Sequence, residues 1–124
     1  MIEDDILVKL QTLGFGTIGT NLFKGLLPLD PDNVVIVRAY GGLPSDLVWN
    51  GEYPYIQITV RNRAYDAGQV ESYDIYKALH GICEEVINGT RYLLIEALQV
   101  PFLLNIDKSE RKVFTCNFSI MKEV

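Results

Sequence analysis

Polar and apolar positions divide this chain into a helical opening, a β-rich middle, a second helical pattern and a β-rich close. At the start, Ile6, Leu7, Leu10 and Leu13 are spaced by one, three and three residues, which makes one helical stripe over Ile2–Leu13. Glu3, Asp4 and Asp5 sit where the positive end of a helix dipole favours carboxylates, and Gly14 and Gly16 stop the helix. Thr20–Leu27 reads as a short strand, broken by Pro28 and by Asp30-Pro31-Asp32; the β-branched run Asn33–Tyr40 reads as another. Pro54–Arg63 alternates cleanly. Ile56, Ile58 and Val60 face one way and Gln57, Thr59, Arg61 and Arg63 the other, which predicts a strand with one buried and one wet face. Between these strands, Gly41–Tyr53 is expected to be a long loop, although it carries Leu43, Leu47, Val48 and Trp49.

Asp66 with Gln69 three residues on has the form of a capping box, and Ile75, Leu79, Ile82, Cys83 and Val86 follow at helical spacing. The pattern predicts a long central helix over residues 66–87, roughly 33 Å at 1.5 Å per residue. Small Gly68 and Ser72 would let it approach a sheet closely, and Asn88-Gly89 would end it. Arg91–Gln99, Phe102–Asp107 and Arg111–Met121 then read as strands, with a turn at Lys108-Ser109-Glu110. In the last of these, Phe114, Cys116, Phe118 and Ile120 share a face. Pro101 has no N–H to give a ladder and marks a bend or an edge. The sum is an α+β fold: a mostly antiparallel sheet covered on one face by an N-terminal helix and a long central helix.

Length and charge narrow the function. At 124 residues the chain is expected to form one domain over residues 1–124. Eleven Lys+Arg against 16 Asp+Glu leave a net charge of −5, which argues against a tight nucleic-acid binder, because phosphate neutralisation needs a basic surface. The opening MIEDDILVKL is acidic where a secretory signal is basic, and no apolar run approaches a membrane span. Two cysteines make no disulfide framework, so folding in a reducing cytoplasm, away from membranes, is expected.

Candidate chemistry is sparse. Gly14-Phe15-Gly16-Thr17-Ile18-Gly19 matches the dinucleotide-binding glycine pattern. That pattern works only between a strand and a helix, however, and here a helix precedes it. It reads as a helix stop and turn. His80 and Cys83 could form a nucleophilic pair, or with Cys116 a partial zinc site; Cys83 on an apolar stripe beside Glu84 and Glu85 is a poor thiolate, and three soft ligands do not close a zinc shell. The pairs Asp4-Asp5 and Glu84-Glu85 diverge by about 100° on a helix and do not converge on one atom. No catalytic residue, cofactor site or metal site is expected. What stands out instead is contact chemistry: Leu47, Trp49 and Tyr53 around the long loop, Arg61 and Arg63 on one strand face, and the tyrosines of the second helical pattern.

The runs Tyr53-Pro54-Tyr55-Ile56-Gln57-Ile58-Thr59-Val60-Arg61 and Tyr73-Asp74-Ile75-Tyr76-Lys77-Ala78-Leu79-His80-Gly81, continued by Ile87–Ala97 and the hairpin around Lys108, resemble bacteriophage minor capsid proteins. That family is similar to the tail terminators of long-tailed phages, and the likeness covers roughly residues 35–120. The resemblance implies a structural virion protein, without catalytic residues or cofactor, assembled in the bacterial cytoplasm. As a terminator it would form a homohexameric ring that caps the tail tube and joins it to the head connector. Its partners would be its own copies, the tube protein and connector proteins, and a ring needs two different adhesive faces. Six copies at −5 would carry about −30, so DNA would pass the lumen without specific binding. A head-completion or neck connector protein is the near alternative, and a small enzyme or ligand-binding domain using His80 and Cys83 the distant one.

Overall fold

A computed structural model describes residues 1–124. The order is α1 (Ile2–Thr12), β1 (Leu22–Lys24), β2 (Val34–Leu43), β3 (Gly51–Asn62), α2 (Tyr65–Leu79), β4 (Ile82–Ile87), β5 (Thr90–Ala97), β6 (Phe102–Ile106) and β7 (Lys112–Glu123). The seven strands form one sheet in the order β1-β2-β3-β7-β5-β4, with β6 on β7. Every pair is antiparallel except β1 with β2.

The last strand organises the sheet. One edge of β7 pairs with β3 along its length; the other is shared, Thr115 and earlier residues pairing with β6 and Phe118 and later ones with β5. β5 and β6 thus lie end to end on one edge, separated by Leu98–Pro101. Pro101 sits at the break, as a residue without an N–H must.

One apolar cluster joins the helices to the sheet. Ile6, Leu7 and Leu10 of α1 and Ile75 and Leu79 of α2 meet Val35, Val37, Ile56, Ile58, Val60, Phe114, Cys116, Phe118 and Ile120. Those of β3 and β7 are the residues that alternation placed on one face. Gly68 lies where α2 crosses β7: a Cβ there would stand 2.8 Å from the Phe114 ring, so only glycine permits this approach. Burial in the cluster pushes the Cys116 thiol up to about 11, which makes it an inert core group.

Four expectations need correction. The central helix does not run to residue 87: α2 has 15 residues and stops at Leu79, where His80 turns extended and Gly81 takes φ 90°. Ile82, Cys83 and Val86 belong to β4. Asn88-Gly89, with φ 49° and 84°, is the turn of the β4–β5 hairpin and not a helix end. Apolar spacing of three and four can be met by chance across a helix–turn–strand junction, whereas two consecutive left-handed residues demand a tight turn.

The second correction concerns the capping box at Asp66 and Gln69. The N-cap is Ala64, with no side-chain cap; the chain turns into the helix through Asn62, whose side-chain oxygen accepts the Ala64 N–H at 2.9 Å. Third, Gly41–Tyr53 is mostly hairpin. β2 and β3 extend to Leu43 and from Gly51 across a bulge between Ala39 and Gly42, leaving only residues 44–50 as a loop.

The far face of the sheet is not wet either. The connection between the parallel β1 and β2 passes over it, and Val34, Ile36, Thr59, Val113 and Thr115 are buried there. Alternation assigns residues to faces; it does not say what covers each face.

Candidate functional site

Of the predicted contact residues, the structure gathers Leu47, Trp49 and Tyr53 at the tip of the β2–β3 hairpin and sends the two arginines elsewhere. Asp46 organises the tip. Its carboxylate accepts the Val48 N–H at 2.7 Å and the Tyr53 hydroxyl at 3.1 Å, while its own N–H donates to the Gly51 carbonyl at 3.1 Å. The Val48 N–H, with further donation from Tyr53 and Trp49, holds the Asp46 carboxyl below the usual carboxylate range. Trp49 donates its indole N–H to the Tyr53 hydroxyl at 2.9 Å and packs edge-on against that ring, centroids 6.3 Å apart. Its six-membered ring lies over Gly51, in space that a Cβ would occupy.

The loop is therefore built inward and displays outward. Trp49 and Tyr53 are half-buried supports, whereas Leu47 and Val48 are fully exposed at the apex. Two aliphatic side chains held in water by a hydrogen-bonded frame form a preorganised apolar knob. Val48 is the residue that sequence reasoning noticed in the loop but did not single out. Nothing in a sequence tells which members of an apolar loop point in.

Arg61 is no surface group, and this corrects its place on a wet face. It is only 3% exposed, and its guanidinium donates to the carbonyls of Asp32, Pro31 and Leu29 at 3.1, 2.6 and 3.4 Å. It pins the β1–β2 connection onto the sheet. Arg63, two residues on, is exposed and pairs with Asp32 at 3.0 Å. Arg111 supports the same region, bonding Asp107 at 2.8 Å and so bracing the root of the β6–β7 hairpin.

His80 and Cys83 do not make a site. The His80 ring stacks on Tyr76 and its Nδ1 accepts the Ala97 N–H at 2.9 Å, a structural bond. Cys83 is exposed on β4, not buried on a helix stripe, and Cys116 is in the core. No group of three or more His, Cys, Asp or Glu side chains is placed to hold a metal ion. In the glycine-rich turn, the Thr17 and Ile18 N–H groups are already given to the side chains of Asn21 and Gln11, at 2.7 and 2.8 Å, so no phosphate cradle exists. No helix is long and apolar enough to cross a membrane.

A second apolar surface went unnoticed in the sequence. All five residues of β6, Phe-Leu-Leu-Asn-Ile, are exposed, and so are Leu98 and Val100 before it. The signal available was four apolar residues in a strand without alternation, which requires both faces to be covered by something.

With apolar side chains exposed at the hairpin tip and along β6, comparison with known proteins decides the lineage. Residues 9–124 match the family model described as bacteriophage tail terminator protein. The chain belongs to the bacteriophage tail terminator family. Among solved structures, a chain from the virion of a native gene transfer agent (GTA) particle superposes with a TM-score of 0.66. It is 17% identical, the match covering 96% of this chain and 85% of that one, a likeness that shows the fold. No curated protein sequence matches. This member of the terminator family is accordingly a structural protein of the phage virion.

Proposed function

We propose that this chain ends the phage tail tube as a ring of identical copies and offers the ring's other side to the head connector. The observation that carries the reading is the family match over residues 9–124, nearly the whole chain. The Leu47/Val48 knob supports it: a preorganised apolar tip on a two-stranded arm suits insertion into a pocket on the tube subunit or on the next copy. In this reading Leu47 and Val48 make the contact, Trp49 and Tyr53 hold them in place, and Arg63 lies at the rim. Arg61 serves the fold. Six copies of 14.0 kDa make a ring of about 84 kDa, with acidic protomers that repel rather than grip the passing DNA.

The test adds the purified protein to polymerising tube protein and measures tube lengths and end structures by negative-stain imaging. Short tubes with a ring at one end are expected. Tubes of unchanged length with bare ends refute the reading, and binding to connector proteins alone assigns the chain to the neck instead. A Trp49→Ala variant should cap poorly because it loosens the knob's frame, while wild-type capping by a Leu47→Ser, Val48→Ser double variant would remove the knob from the account.

A further inference from the structure

The end of α2 and the end of β5 meet at a side-chain bond that a single proton can break. β4 pairs with β5 so that Ile82 stands opposite Ile95; continued two residues outward, the same register sets His80 opposite Ala97. β4, however, begins only at Ile82. His80 is extended beyond the end of α2, and Gly81, at φ 90°, gives its N–H to the Ile95 carbonyl at 2.8 Å. The Ala97 N–H thus meets no strand on this side, and Nδ1 of His80 accepts it at 2.9 Å. An imidazole nitrogen fills a rung of the ladder.

That choice of acceptor fixes the state of the ring. Nδ1 accepts only while it carries no proton, so the closed rung holds the neutral ring with its hydrogen on Nε2. Stacking fixes the ring's position: it lies on Tyr76, planes 11° apart and centroids 5.4 Å apart. A proton taken up at Nδ1 sets one donor against another, while the positive ring stays attracted to the Tyr76 face. His80 is exposed, so water delivers that proton directly.

No charged group offsets the change. His80 makes no ion pair. On α2 its titratable neighbour is Tyr76, and Lys77 lies over the next ring, Tyr73, 5.2 Å from its centroid. On β5 and β4, Ile95 and Ile82 pack on the core, so Glu96 and Cys83 beside them alternate to the other face of the sheet.

We infer that His80 is a proton-operated latch on the end of β5, closed as the neutral ring and open once protonated. The latch sits where the chain leaves β5 for Leu98–Pro101, the segment that leads to β6. On the β7 side that segment stays held, by the Leu98 N–H to the Asn117 carbonyl at 2.8 Å and the Asn117 N–H to the Gln99 side chain at 2.9 Å. Acid therefore frees the outer side of the strand end and leaves the rest of the sheet paired. The latch belongs to the single chain and works with or without a ring.

Solvent-exchange NMR on the full-length protein tests this by following the Ala97 amide from about pH 8 to about pH 5, the range in which imidazole gains its proton, with intrinsic exchange divided out. Protection should fall by about five- to tenfold as pH drops, the worth of one such hydrogen bond. The Val35 amide, bonded to the Asn21 carbonyl across the sheet, should keep its protection throughout. His80→Asn offers a non-titrating acceptor at the same distance from the backbone and should hold Ala97 protected at both ends of the range. His80→Phe keeps a ring on Tyr76 without an acceptor, and Ala97 should be open at both. Native protection that does not change with pH overturns the latch. So does an acid loss repeated in full by His80→Asn, or a His80→Phe variant as protected as the native chain at the alkaline end.

Discussion

The hairpin tip at residues 44–50 and the edge of β6 both show apolar groups to water, but they do so by opposite means. At the tip, Asp46, Val48, Trp49 and Tyr53 are tied together by hydrogen bonds, and what is offered is two side chains. At the edge, the side chains are ordinary and what is offered is backbone. A knob selects a pocket of matching shape; an open edge accepts any extended apolar strand. One surface is therefore suited to a shaped pocket, and the other to an extended strand. Each rests on one hydrogen-bonded anchor, half-buried Asp46 with Tyr53 for the tip and buried Arg111 with Asp107 for the hairpin that bears β6.

The sharpest way to break the comparison is to remove the β6 anchor. Arg111→Ala removes the guanidinium bonds to Asp107 and to the Leu29 carbonyl while the backbone N–H groups of residues 109 and 111 still reach Asp107, which should cost about 2–3 kcal/mol and lower the thermal midpoint by roughly 8 °C. Calorimetry measures it, and a loss below 1 kcal/mol would mean the hairpin root does not depend on this residue. The tip anchor is weaker. Tyr53→Phe deletes the hydroxyl between Trp49 and Asp46, for about 1 kcal/mol. Because Trp49 is the chain's one tryptophan, its fluorescence should shift to the red in the folded protein.

Acid should act on both anchors with the same sign. Asp46 is held below the ordinary carboxylate value of 3.8, chiefly by the Val48 N–H, and Asp107 likewise, chiefly by the Arg111 backbone N–H. A depressed carboxyl stabilises the fold fully above its unfolded pKa, and that contribution disappears as pH falls through the lower folded value. Trp49 fluorescence should thus hold steady down to about pH 4 and change below it. Asp46→Asn should remove that step from the fluorescence titration while leaving the far-ultraviolet signal of the sheet in place. The smallest effect on stability belongs to the knob itself: replacing Leu47 and Val48 by Ser should leave the unfolding free energy within about 0.5 kcal/mol, although on the proposed function the same change should abolish capping. A large loss of stability would make those side chains part of the core.

The legible parts of the chain were those where one local rule decides. The stripe of α1, the alternation of β3 and of β7, the inert glycine turn and the break at Pro101 all follow from spacing, because 3.6- and 2-residue periods are properties of the backbone. Misreadings fell where two rules competed. Across Ile75–Val86 a helical spacing outvoted His80-Gly81 and Asn88-Gly89, though the latter pair is a hairpin signal wherever alternating residues flank it. Tip residues could be named as contacts but not sorted into frame and display, since Trp49 turns inward only because Tyr53 and Gly51 receive it.

By itself, then, the sequence determined the helix and strand periods and the net negative charge, which are set within a few residues or by counting. Only the tertiary structure decided what covers each face and which edge stays open. Arg61 and Arg63 share a strand face two residues apart, yet one is sealed beneath the β1–β2 connection and the other stands in water. The edge of β6 stands exposed because no distant segment packs over it. Coverage depends on contacts between segments far apart in the chain, and no local period encodes those.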